Sequence, residues 1–256
     1  MNDTFGINTT ALFNDRADAY AKYRPTYPSE AIAWLIEKTG VTPQSQIADI
    51  GAGTGKFAQL LLERGMRVCA VEPGAAMRGI AAHDLGAFEG FSVSDGGAEE
   101  TKLQAESIDL ITVAEAFRWF DKAKSREEFR RILKPDGSVA LVWNVGNVWY
   151  SDFTREFLET RKRLRDAERT GTNKPSTRAD IDEFFGGTWE REGFFWARPM
   201  TFEELWGYTL SHSDTVSSEH PNYEILHDEL RALFARHEEN GVVLYAYRTD
   251  VVIGRL

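Results

Sequence analysis

The stretch that most limits how this chain can fold is IADIGAGTGKFAQLLLERGMRVCAVEP, Ile47 to Pro73. A short apolar run ends at Asp49 and Ile50, and a loop bearing Gly51, Gly53 and Gly55 follows. A helical pattern opens at Lys56, and a second apolar run ends on Glu72. Strand, glycine turn, helix and strand make a βαβ unit, which belongs to a parallel sheet covered by helices. Without Cβ atoms the loop can turn tightly and let a ligand lie against its backbone. The spacing argues against two phosphate sites. A dinucleotide fingerprint needs its third glycine where Lys56 stands, and a P-loop needs a glycine at Ile50 and a hydroxyl residue at Phe57. Glu72 can accept two hydrogen bonds from ribose hydroxyls, and Asp49 can hold a ligand ammonium or the loop's own amides.

The alternation continues through the first 145 residues. Apolar runs at Gln46–Ile50, Arg67–Val71, Phe91–Ser94, Ile108–Ala114 and Ser138–Asn144 predict strands. Pro28–Lys38, Lys56–Arg64, Ala75–Ala82 and Lys122–Leu133 predict helices, and the Pro135-Asp136-Gly137 turn hands the chain to the next strand. Ligands of such open sheets lie beyond the carboxyl ends of the strands. After Val145 charge and aromatic residues take over. Ser151–Arg169 predicts an amphipathic helix whose cluster Arg161, Lys162, Arg163, Arg165 and Arg169 reads as a solvated face. TGTNKPST reads as a mobile loop. EREGFFWARPM then predicts a strand, TFEELWGYTL and EILHDELRALFARHEE helices, and GVVLYAYRTDVVIGRL a last strand.

With 40 acidic and 30 basic residues the net charge is -10, which argues against a sequence-independent hold on nucleic acid. No run approaches the ~20 apolar residues that span a bilayer, and MNDTFGINTT lacks a signal-peptide apolar stretch. The expectation is a soluble cytoplasmic protein without membrane or nucleic-acid partners, a monomer or homodimer. The single Cys69 reads as a core residue. The 5 histidines show no metal-ligand spacing, so no metal is expected.

ADIGAGTGKF together with AVEP resembles motifs I and II of class I S-adenosylmethionine-dependent methyltransferases. GGAEETKLQAESIDLITVAEAFRWFD and RILKPDGSVALVWN are similar to the family's later motifs. FNDRADAYAKYRPTYP and YRTDVVIGRL resemble its trans-aconitate methyltransferase-like, methyltransferase type 11 branch, strongest from Phe13 to Asn144. The resemblance implies an α/β fold with a Rossmann-like seven-stranded sheet, an antiparallel last strand, helices on both faces and a helical insertion or cap. The chain would be one domain, 1–256, in which 1–145 binds the cofactor, 146–185 is the insertion and 186–256 completes the sheet.

The cofactor implied is S-adenosylmethionine. Asp49, Gly51, Gly53 and Gly55 would line its methionine and ribose portion, and Glu72 would hold the ribose hydroxyls. Met77 would pack against the adenine or serve as core, Ala98 and Glu99 would meet the adenine edge, and Ala114 and Glu115 would face the sulfonium. Tyr20, Tyr23 and Arg24 resemble residues that close over the cofactor, Arg24 pairing with its carboxylate. Methyl transfer from a sulfonium is an in-line displacement served by positioning and exclusion of water, so no triad is needed.

Relatives often read A-Q-A-F-H-W-F where this chain reads AEAFRWF. Arg118 cannot act as a base in place of that histidine. It could bind an acidic acceptor, or shape the pocket through a salt bridge to Glu115. His212 is a second catalytic candidate, as a base. The aromatic residues between Trp143 and Trp206 divide between core and the walls of an apolar acceptor pocket. The function expected is methyl transfer to oxygen or nitrogen of a small organic acceptor, with a carboxylic acid as one candidate. The alternative is a protein of this fold that binds S-adenosylmethionine or S-adenosylhomocysteine without transferring methyl.

Overall fold

The apolar runs of the first half form strands β1 (Gln46–Ile50), β2 (Arg67–Val71), β3 (Phe91–Ser94), β4 (Ile108–Ala114) and β5 (Leu133–Gly146) in the computed structural model. It describes residues 17–166 and 176–256, so Phe13, Arg169 and most of TGTNKPST lie outside the described part. Strand β5 starts earlier than its apolar run. Leu133 pairs with Ile108 and Ser138 with Leu110, leaving Lys134–Gly137 as a bulge. The Pro135-Asp136-Gly137 turn therefore sits inside a strand, not before one, because pairing to β4 resumes on both sides of it.

The remaining elements are α1 (Ala17–Tyr23), α2 (Ser29–Thr39), α3 (Lys56–Leu62), α4 (Ala75–Leu85) and α5 (Lys122–Ile132). They are followed by α6 (Asp152–Leu164), α7 (Arg178–Phe185), β6 (Trp189–Met200), α8 (Phe202–Leu210), α9 (Asn222–His237) and β7 (Val243–Gly254). The sheet order is β3-β2-β1-β4-β5-β7-β6. The first five strands are parallel, and β7 runs antiparallel to both β5 and β6. From β1 the chain steps outward to β3 and then returns to lay β4 on the other side of β1. That reversal opens the crevice in which such sheets hold ligands.

Alternation along the strands divides the core. Ile47, Leu110 and Ala140 face α2 and α3 with Ile32, Leu35, Phe57 and Leu61. Ala48, Ile111, Val113 and Leu141 face the other way, onto Phe117, Phe129 and Phe184. A third cluster joins Phe157 of α6, Leu205 and Tyr208 of α8 and Leu230 of α9 to Tyr245 and Tyr247 of β7. Tyr247 pairs with Gly146 at the carboxyl end of β5, so this helical layer stands at the ligand end of the sheet.

Residues 146–185 thus divide between two packing layers. Helix α6 joins the third cluster, while α7 packs on the opposite sheet face beside α5, where Arg126 Nε donates to the Phe184 carbonyl (2.5 Å). Helix α7 was not among the expected elements. Its signal is the capping box of Thr177 and Asp180, whose side chains each accept from the other's backbone amide.

Candidate active site

Beyond the carboxyl ends of β1, β2 and β4 lies a cavity of about 170 Å³. Of the residues expected to bind cofactor, Tyr20, Arg24, Gly51, Gly53, Glu72, Met77, Ala98, Glu99, Ala114 and Glu115 line it, as does Arg118. Asp49, Gly55 and His212 do not. Pro73, Gly74, Gly97, Ala116, Trp119 and Phe120 complete the wall and were not expected there, although most neighbour residues that were. Trp119 and Phe120 flank Arg118 in AFRWF, so attention to that motif's apolar positions would have found them.

The three loop glycines do different things. A Cβ on Gly51 would meet the Ala116 Cβ at 2.5 Å, so this glycine admits the turn after β4. A Cβ on Gly55 would meet Leu85 Cδ1 at 2.5 Å, so the third glycine serves the packing of α4 and faces away from the cavity. Gly53 alone has only Met77 Sδ at 3.6 Å and Tyr20 at 3.8 Å near its would-be Cβ, leaving room over its backbone. Its φ of +58° also favours glycine.

Glu72 is held by the loop it faces. Gly53 N donates to Oε2 (2.9 Å) and Gly74 N to Oε1 (2.7 Å). Burial pushes its carboxyl above the usual carboxylate range, and these amides with Arg78 work against that. Each oxygen retains a lone pair for a further donor. Glu99 is fixed similarly, Oε1 accepting from Asp121 N at 2.8 Å. Asp49 lies beneath the loop, 1% exposed, with Oδ1 accepting from the Thr112 hydroxyl (2.8 Å). Its Oδ2 makes no full hydrogen bond among the described residues, although the Ala58 amide is close enough to stabilise charge. Burial raises its pKa to about 7, against the pull of Thr112 and Ala58 and with help from Glu72.

The other end of the cavity carries looser charge. Glu115, at φ +63° just past β4, accepts from Asn144 N at 2.6 Å. Arg24 lies over the Tyr20 ring at 5.1 Å and donates to the Ser211 carbonyl at 3.2 Å, and its buried Nε lacks a partner among the described residues. Arg118 lies 5.2 Å from the Trp119 ring centroid. Its Nε is also buried and unpartnered, and among the described residues it makes no ion pair, including none with Glu115. Burial pulls this guanidinium below its usual pKa, Glu115 opposing and Arg24 adding to the effect.

Two expectations meet corrections here. His212 sits against α8, Nδ1 at 2.8 Å from the Tyr208 carbonyl, and burial with Arg161, Arg24 and Arg118 holds its pKa well below the ordinary value. Away from the cavity and weakly basic, it is badly placed to take an acceptor's proton. The aromatic residues between Trp143 and Trp206 do not line the cavity; its rings come from Tyr20, Trp119 and Phe120. Phe184 and Phe185 are core, Trp196 stacks on Tyr247 at 4.6 Å, and Trp149 is 96% exposed. Among the described residues there is no cluster suited to a metal ion, and no helix is long and apolar enough to cross a membrane.

This sheet order, with a glycine loop and a carboxylate at its reversal point, defines a Rossmann-like fold with a ligand crevice at the strand ends. Residues 48–141 match a family model described as a methyltransferase domain. An uncharacterised methyltransferase of Mycobacterium tuberculosis is 31% identical over 91% of this chain and 90% of its own length. A type II methyltransferase candidate from Anaeromyxobacter dehalogenans superposes with a TM-score of 0.65 at 21% identity, over 91% of this chain and 98% of that one. Phosphoethanolamine N-methyltransferase 2 of Haemonchus contortus, solved with S-adenosyl-L-methionine, gives 0.56 at 17% identity, over 98% and 61%. The chain belongs to the class I S-adenosylmethionine-dependent methyltransferases, a family whose methyl donor is S-adenosylmethionine. The matches describe the family at large and do not single out its trans-aconitate methyltransferase-like branch.

Proposed function

We propose that this enzyme methylates a small organic acceptor on oxygen, the acceptor being a carboxylic acid, in the cytoplasm. Nitrogen is the other atom open to a site of this class. The observation that carries the reading is Arg118: a guanidinium in the cavity wall whose buried Nε has no hydrogen-bond partner and which makes no ion-pair contact among the described residues, although Glu115 acts on its charge from further off. Leaving a buried charge unpaired is costly, and a carboxylate ligand relieves it with two parallel hydrogen bonds.

The residues divide the work along the cavity. Gly53 gives open backbone, and Glu72 would accept from the ribose hydroxyls. Ala98 and Glu99 would border the adenine, with Met77 against its face. Arg24 would pair with the methionine carboxylate, and Ala114 and Glu115 would stand beside the sulfonium, which would supply the methyl group. Gly51 lets the Ala116–Phe120 turn close in, and Gly55 lets α4 do so; Asp49 supports the loop from beneath. Arg118 orients the acceptor carboxylate, and Trp119 and Phe120 exclude water around it. One carboxylate oxygen forms the new bond to the methyl carbon as the sulfur–methyl bond breaks, giving an ester and S-adenosylhomocysteine. No proton moves, so the poor placement of His212 is no obstacle.

The test is label transfer from S-adenosylmethionine to a panel of carboxylic acids, alcohols and amines. Arg118→Ala is expected to raise KM for the acid about tenfold or more while leaving S-adenosylhomocysteine affinity within about twofold. Undiminished turnover of an acid by that variant, or label entering only alcohols or amines, would remove the acid reading.

A further inference from the structure

Helix α5 carries a buried carboxylate that the chemistry above does not use. Glu128 is 8% exposed and points at the loop between β3 and β4, which bears Ala98 and Glu99. Its Oε1 accepts from the Thr101 amide (2.8 Å) and the Thr101 hydroxyl (2.5 Å). Arg131 spans both carboxylate oxygens at 2.7 Å and also donates to the Leu103 carbonyl at 2.8 Å. Thr101 is itself fully buried, and its carbonyl accepts from the Ser94 hydroxyl at 2.8 Å. Gly96 lies so close over that carbonyl that a Cβ there would overlap it. Two residues before Thr101, Glu99 is tied to the N-cap of α5 through Asp121 N.

Holding α5 on the sheet does not call for a carboxylate, since an apolar side chain of that size would do so without the desolvation cost. What Glu128 adds is a set of directional bonds that fix the loop at Thr101, two residues beyond Glu99. Glu99 has one oxygen engaged by Asp121 N, and as an acceptor it favours an exocyclic amine over a ring carbonyl.

We infer that Glu128 is a positioning residue which, through Thr101, holds the Ala98–Glu99 edge in register with the adenine ring and so sets the selectivity of the cofactor site for an amino-purine. The inference rests on the reading that Ala98 and Glu99 border the adenine.

The experiment measures binding of S-adenosylhomocysteine and S-inosylhomocysteine, in which a 6-oxo group and an N1 proton replace that amine and the bare N1, to the wild-type chain, Glu128→Gln and Thr101→Val. Wild type is expected to prefer the adenine ligand. Glu128→Gln should lose about tenfold in affinity for it and less than about twofold for the inosine ligand, so that discrimination shrinks. Thr101→Val, which keeps the side-chain shape, should show the same change in smaller degree, and it carries the test if Glu128→Gln does not fold. Equal losses for both ligands, no loss, or a wild type that binds both equally would overturn the inference and leave the donor assignment standing. A wild type that binds neither would overturn the cofactor reading and the inference with it.

Discussion

The two ends of the cavity treat charge in opposite ways. At the Glu72 end, carboxylates are tied to backbone amides before any ligand arrives: Glu72 to Gly53 and Gly74, Glu99 to Asp121. At the Arg118 end, two guanidiniums have buried nitrogens without partners among the described residues. A pre-organised end loses little on binding, whereas an end holding unrelieved charge gains most from the one ligand that relieves it. The first arrangement suits a donor common to a family; of the two guanidiniums at the second, Arg24 fits that donor's carboxylate and Arg118 alone suits an acceptor particular to this chain.

Three substitutions probe that contrast beside the Arg118 test. The largest effect is expected from Glu72→Ala, which removes two charged acceptors and should weaken S-adenosylhomocysteine binding on the order of 100-fold; calorimetric titration showing unchanged affinity would end the ribose assignment. Gly53→Ala should weaken binding about tenfold, because a methyl group enters ligand space and the positive φ costs about 1 kcal/mol. Its thermal stability should fall only by that smaller amount, and a large loss of Tm without loss of affinity would move Gly53 from ligand bed to structural turn.

The last effect is spread over a pH slope and leaves ligand affinity aside. The folded pKa of Asp49, about 7, stands above its unfolded value of 3.8. The folded state therefore keeps a proton that the unfolded state releases in this window. Stability from the protonated group is fully present below about pH 4 and is lost as pH rises to about 7, at up to roughly 1.4 kcal/mol per pH unit. In Asp49→Asn the carbonyl can still accept from Thr112, and the difference in Tm between variant and wild type should grow from pH 5 to 7. A constant difference would show that Asp49 is ionised throughout.

The same contrast governed what the sequence revealed. Backbone chemistry leaves compact signals, so Gly51, Gly53 and Glu72 pointed to residues that line the cavity, and strands β1 to β4 follow their apolar runs to the residue. The sequence did not reveal that Gly55 answers to Leu85 or that Asp49 lies under the loop, because both depend on how α4 and β4 close around it. The aromatic residues after Trp143 misled for a related reason. A ring in an amphipathic pattern looks alike in a core and in a pocket wall, and here the third cluster took many of them. The wall came from Trp119 and Phe120, already inside a recognised motif. The β5 bulge escaped notice because Pro-Asp-Gly marks a turn equally well within a strand and before one.

One residue links these regions in time as well as in space. The Asn144 amide supports Glu115, its Nδ2 donates to the Thr26 carbonyl, and its Oδ1 accepts from the Thr249 hydroxyl, which in turn accepts from Trp196. During synthesis the glycine loop, Glu72 and Arg118 emerge long before Thr249. A chain still lacking its final strand already holds every residue that lines the cavity and can tie Thr26 and Glu115 to Asn144, whereas the Thr249 hydroxyl that fixes the Asn144 side chain arrives last.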